Sequence, residues 1–370
     1  TLLVFVLWGV GGWIEPTLGL SSGSTIFYMM LGILFFDTLA IVPFAELRIN
    51  RQPYLFAGLR TLNVVINLGL NFYLILVKNW GIEAIFMSQL VASVSTTIII
   101  WAFTLPLLKG SWNYNFLSGA LRFGLPFIPA GFGHVINEMI DRFFIKGMSA
   151  ETIASIYGSG VTADYLVGIY NASYKLAVFM LLLVQMYRMA WQPFFMRKSN
   201  DDDAPELYAS AFKFYNIAAA GVFLMVALFL EQIVAIKIPI LDQYLIGQQY
   251  WAGLVVVPPL LVAYWFQGWY VNFSAGIFIS EKTGKLALIT LIGAAVTIVF
   301  NLILIPLLGI MGSALATAAS YMVMAVLIYR FSTQAFPVPY KMRQAIGVVV
   351  IAVFGVYLKP FLSNNFFPDI

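Results

Sequence analysis

The 370-residue chain has no cysteine, one histidine (His134) and charge on only 10% of its residues. Each shortage removes a class of protein. Without cysteine there is no disulfide framework and no thiolate metal site, and a lone imidazole cannot build a zinc centre. No metal or other cofactor is expected, and catalysis by those routes is excluded. A formal charge of +4, in so apolar a chain, does not argue for nucleic acid as a partner.

What is present is hydrocarbon. Hydrophobic residues make up 61% of the chain, and the mean hydropathy is +0.90. Long apolar runs are spread over the whole length, so this is not a soluble domain with one core but a polytopic membrane protein. A membrane β-barrel would alternate polar and apolar residues, whereas "LAVFMLLLVQM" (176–186) and "LALITLIGAAVTIVF" (286–300) are apolar all round. The expected fold class is therefore all-α. Spans fall near residues 1–14, 25–46, 55–77, 81–108, 120–147, 164–195, 208–236, 249–279, 283–307, 309–332 and 343–358, about eleven transmembrane helices. Thr1 stands inside an apolar run, so the chain reads as a fragment that begins within a helix.

Alternate numbering of the loops segregates the cations. One side holds twelve, among them Arg48, Arg51, Lys109, Arg188, Arg197, Lys198, Arg330, Lys341 and Arg343. The other holds only Lys78, Lys146, Lys237 and Lys359. The first side is expected to face the cytoplasm. Arg188, beside Trp191, is read as a marker of that interface.

An internal repeat follows. A shift of 230 residues places 49–75 on 279–305, matching Ala57 with Ala287 and Asn71 with Asn301. Because the shared loops lie on one side, the repeats are parallel. They predict two homologous helical lobes around a central cavity: residues 1–110 for the first, with amino-terminal helices missing, and 117–332 for the second. A further helix is expected over 340–358.

"GLPFIPAGFGHVINEMIDRFFIKGM" (124–148) and "GIYNASYKLA" (168–177) add a resemblance. Together with "AWQPFF" (190–195) and "NLILIPLLGIMGSALAT" (301–317), they are similar to the polysaccharide and lipid-linked oligosaccharide flippases, the O-antigen transporters, of the MATE-like exporter superfamily. The motif residues are Gly124, Leu125, Pro126, Asp141, Arg142, Gly168, Tyr170, Tyr174, Lys175, Leu176 and Ala177. The resemblance implies a multi-pass protein of the bacterial cytoplasmic membrane that flips a polyprenyl-diphosphate-linked oligosaccharide. Its partners would be that lipid-linked substrate, membrane lipids and other proteins of polysaccharide assembly. The alternative is a cation-coupled multidrug exporter of the same superfamily. A membrane glycosyltransferase or ligase would need a large outer loop carrying acidic or metal-binding residues, and no loop is long enough, so an enzyme is not expected.

At 100° per residue, His134, Glu138, Asp141 and Arg142 share one helical face. Charge facing lipid costs roughly 2.5–3.5 kcal/mol per residue on insertion scales, so this face lines a cavity or pairs internally. Glu138 and Arg142 have the favourable i,i+4 order for an internal pair. Pro126 and Pro129 predict a break or hinge just before the stripe, unless they are tolerated first-turn prolines. Lys175, deep in its span, requires an anion: Asp141, Glu138 or a substrate diphosphate. Arg60 either snorkels or joins Arg142, Lys175 and His134 in a substrate cavity. Asp37, near mid-span, is expected to be protonated or paired with Arg60. With Glu138 and Asp141 it is a candidate for coupling to H+ or Na+, or for internal pairing.

Overall fold

A computed structural model describes residues 2–17, 23–50, 52–107, 113–125, 127–238 and 243–366. Its packing divides the chain into two compact units, Thr1–Asn113 and Tyr114–Ile370, and each is described by itself.

The first unit holds α1 (Leu2–Gly9), α2 (Gly11–Thr17), α3 (Thr25–Ile49), α4 (Pro53–Phe72) and α5 (Glu83–Thr104). The expected first span, 1–14, is thus two short helices. They part at Val10, where "GVGG" supplies three glycines, the residue that loses most entropy in a helix. α4 continues as one π-helical turn, Tyr73–Val77, toward the tight turn at Asn79, a non-glycine residue with φ of 54°.

α3 and α4 both pack against α5. The reason is visible along α5, which buries Ala84, Ser88, Ala92, Thr96, Ile100 and Thr104 at every fourth position. Mostly small side chains on one face let helix backbones approach where lipid supplies no hydrophobic drive. Polar ties then fix the contacts. Thr97 and Trp101 of α5 donate to the α3 carbonyls of Phe36 (3.0 Å) and Leu39 (3.1 Å). From α4, Asn63 donates to Thr96 and Asn67 to Gln89.

The second unit opens with α6 (Tyr114–Gly124), α7 (Phe127–Lys146), α8 (Ala150–Tyr157) and α9 (Ala163–Lys198). It continues with α10 (Ala204–Leu228), α11 (Leu230–Val234), α12 (Val257–Ile279), α13 (Gly284–Leu308), α14 (Ile310–Ala335) and α15 (Met342–Phe366). One minimal antiparallel pairing joins β1 (Lys237–Ile238) to β2 (Gln243–Tyr244). All other regular structure among the described residues is helical. The expected span 120–147 is divided between α6 and α7, so the break does precede the charged stripe. Pro129 occupies the first turn of α7, where its missing N–H would have had no helical partner. Pro126, its proposed fellow hinge, lies outside the described residues. α8 stands in a segment expected to be loop, capped by Ser149, whose hydroxyl accepts from the Thr152 N–H at 3.2 Å.

α12 is the centre of this unit. It buries both faces, from Val257 to Ile277, and packs on α9, α10 and α14. A helix that is apolar all round belongs inside a bundle, and this one does. α13 and α14 pack on one another, and α7 lies against α13 and α9.

Eight helices among the described residues are long and apolar enough to cross a membrane, three fewer than the eleven expected spans. The other three expected spans are the divided 1–14, the divided 120–147, and 343–358, where the apolar stretch Met342–Leu358 of α15 is shorter.

Candidate functional site

The charged face of α7 is built into two adjoining arrangements, both within the second unit. In the first, the Glu138 carboxylate collects tyrosines from three helices. Tyr174 of α9 donates to Oε2 at 2.8 Å and Tyr264 of α12 at 3.0 Å, while Tyr321 of α14 donates to Oε1. The Tyr264 and Tyr174 hydroxyls also touch at 2.7 Å. A carboxylate between spanning helices needs donors, and phenols supply them while presenting apolar rings to the bundle.

Asp141, one turn on, is fully buried and accepts from the Tyr170 hydroxyl at 2.6 Å and from the Arg142 guanidinium at 2.7 Å. Arg142 spreads its remaining donors over the Asn171 side chain (3.1 Å) and the Glu138 backbone carbonyl. Its guanidinium lies 4.2 Å from the Tyr174 ring centroid, a cation–π contact. The expected Glu138–Arg142 side-chain pair is not formed. Arg142 closes on Asp141 and reaches only the main chain of Glu138.

Beside this network lies a cavity of about 340 Å³ lined by His134, Arg188, Gln192, Gln267, Tyr270 and Thr290, among others. No Asp or Glu contributes to its lining, and Arg188 makes no ion pair among the described residues. Gln267 is 2% exposed. Its amide nitrogen donates to the Tyr321 hydroxyl at 3.2 Å, and its Oε1 is buried without a partner among the described residues. Tyr321 therefore joins the cavity wall to Glu138. Next to Glu138 in sequence, Asn137 Oδ1 accepts from Thr297 and, at 3.1 Å, from Ser320, binding α7 to α13 and α14.

The structure thus brings together four residues expected from the sequence, His134, Glu138, Asp141 and Arg142, and separates others. Lys175 is exposed and pairs with neither Asp141 nor Glu138. The cause is helical phase: Tyr174 points inward, and Lys175, 100° further round, shares an outward face with Asn171, one turn earlier. In the first unit Asp37 is exposed and has no cation partner among the described residues. The expected Asp37–Arg60 pair is absent because Arg60 lies over the Phe44 ring, 4.2 Å from its centroid.

Arg188, expected to mark the cytoplasmic interface, stands ten residues before the end of α9 at Lys198 and lines the cavity. Tyr264 and Gln267 lie in the aromatic-rich stretch 264–273 and carry no sequence signal that separates them from Trp265 and Trp269. Those two indoles do pack internally, both donating to Asn216 Oδ1.

This all-helical, polytopic bundle has the fold of MATE transporters. A MATE transporter in complex with MaL6 superposes with a TM-score of 0.66, covering 90% of this chain and 74% of that one at 14% identity. An outward-facing multidrug resistance MATE family transporter of the MOP superfamily gives 0.59, with 84% and 67% covered at 17% identity. A mutant of the Vibrio cholerae MATE transporter VcmN gives 0.63, with 90% and 76% covered at 16% identity. No family model and no curated protein matches the sequence. What is shared is the fold, and this is a multi-pass helical membrane protein.

Proposed function

We propose that the chain is a membrane transporter, working without covalent chemistry, that moves an anionic lipid-linked oligosaccharide across the bacterial cytoplasmic membrane by alternating access. The observation that carries this reading is the cavity in the second unit, with Arg188 and His134 in its wall and no carboxylate. Arg188 is half-buried and in no ion pair among the described residues, so it is free to take an anion, and a diphosphate accepts the bidentate hydrogen bonds that guanidinium offers. The buried, unpartnered Oε1 of Gln267 is an acceptor for a sugar hydroxyl. Glu138, joined to the wall through Tyr321, and Asp37 are the candidates for coupling to H+ or Na+. Arg60, Arg142 and Lys175 remain proposed contacts for the substrate elsewhere on its path.

A cation-coupled multidrug exporter is the second reading, supported by the fold shared with a multidrug resistance transporter and by the half-buried Glu138. A cationic drug, however, meets Arg188 and His134 in this cavity before any acid. The two readings separate in proteoliposomes, by uptake of a fluorescent polyprenyl-diphosphate oligosaccharide beside efflux of a cationic dye. The wild type is expected to move the lipid, and Arg188→Ala to slow it roughly 10- to 100-fold, the equivalent of one lost charge-assisted contact. Dye transport without lipid transport, or an Arg188→Ala variant as fast as wild type, overturns the proposal.

A further inference from the structure

A second cavity, of about 320 Å³, lies between α12, α14 and α15, far in character from the first. Phe266 and Trp269 of α12, Met322 and Val326 of α14, and Ile346 and Val350 of α15 form its walls. Its polar atoms are few and mostly committed, since the Trp269 indole donates to Asn216 at 2.8 Å. A hydrated solute finds nothing to bind there. The volume is about twice that of an apolar cavity of ~150 Å³ that holds benzene, and it lies among spanning helices, so its natural contents are alkyl chain.

Basic residues flank the lining of this groove in sequence. Tyr329 and Met342 line it where α14 leads into α15, and their chain neighbours are Arg330, Lys341 and Arg343. All three are exposed, and none is in an ion pair among the described residues. They belong to the cation-rich set of loops, the side on which basic residues at helix ends attract anionic lipid headgroups. An apolar slot at membrane depth, crowned by three uncompensated cations, has the polarity of a phospholipid.

We propose that the groove between α12, α14 and α15 is a binding site for an anionic diacyl phospholipid of the cation-rich leaflet. One acyl chain lies along Met322, Val326, Ile346 and Val350, and the phosphate meets Arg330, Lys341 and Arg343. This site rests on the fold and is independent of the transported substrate. It makes α15, otherwise held in part by α10, sensitive to lipid composition.

Native mass spectrometry of the purified protein with phosphatidylglycerol or phosphatidylcholine of the same chains tests this. Wild type is expected to retain phosphatidylglycerol about tenfold better. Arg330→Gln/Lys341→Gln/Arg343→Gln is expected to bring the two lipids level, and Val326→Trp, which fills the groove, to reduce retention of both. If the triple variant unfolds, Arg343→Gln by itself is expected to show a graded loss of the preference. The proposal fails if the preference survives the charge substitutions, if Val326→Trp changes neither lipid, if glycerol phosphate displaces the lipid, or if a polyprenyl phosphate outcompetes phosphatidylglycerol. Loss of Arg188-dependent transport leaves these readouts untouched, so the two proposals fail separately.

Discussion

Arg142 pairs with Asp141, its own neighbour in sequence, at 2.7 Å, and leaves the Glu138 carboxylate to three tyrosines. Asp141 has no exposed surface, so its charge depends on that guanidinium and on Tyr170. Removing the cation strands a buried carboxylate, at a cost of about 3 kcal/mol. Arg142→Ala is therefore expected to lower the melting temperature in detergent far more than Asp141→Asn, which keeps an acceptor for Tyr170 and removes the charge. Equal losses for the two variants would mean that the pair contributes no net electrostatic stability.

The tyrosine cage around Glu138 makes a different prediction, because its three donors share one acceptor group. Any single Tyr→Phe change leaves Glu138 two hydroxyls and should cost about 1 kcal/mol. Glu138→Ala strands the Tyr321 proton and leaves Tyr264 and Tyr174 only each other, and should cost at least twice that. A double-mutant cycle between Glu138→Gln and Tyr321→Phe is expected to show coupling of about 0.5–2 kcal/mol. Additive losses would place the two residues in separate networks.

Close approach of α7 to α13 rests on Gly133. A Cβ there would stand 3.0 Å from the Thr290 carbonyl oxygen and 3.3 Å from the Leu291 nitrogen, both main-chain atoms that cannot rotate aside. Gly133→Ala is expected to destabilise by about 1–3 kcal/mol through overpacking. Gly119→Ala, in the exposed helix α6 with open space around it, should be neutral or mildly stabilising. Thermal unfolding of the two variants checks the contrast, and an unchanged Gly133→Ala protein would show that α7 and α13 can part freely.

Much of the bundle was legible because lipid imposes a simple rule on spanning helices: long and apolar. The rule failed where glycine or proline interrupts an apolar run, as at Val10 and between Gly124 and Phe127, since hydropathy averaged over a window does not see a broken backbone. In the site, periodicity placed His134, Glu138, Asp141 and Arg142 on one face of α7. It could not say which partner each takes. Glu138 and Arg142 have the right spacing, but the carboxylate of Asp141 was nearer, and Tyr174, Tyr264 and Tyr321 come from three other helices. Lys175 and Arg188 are cations on one helix. Only the rotational phase of α9 decides that one faces outward and the other lines a cavity.

Asn71 and Asn301, matched by the 230-residue shift, are folded alike. Each donates its amide to the carbonyl one turn earlier, Asn67 at 3.0 Å and Thr297 at 2.8 Å, and each buries an Oδ1 with no partner among the described residues. The two amides thus make the same local tie in both units: a polar side chain inside a spanning helix can hand its donor to its own backbone and need no partner from a neighbouring helix.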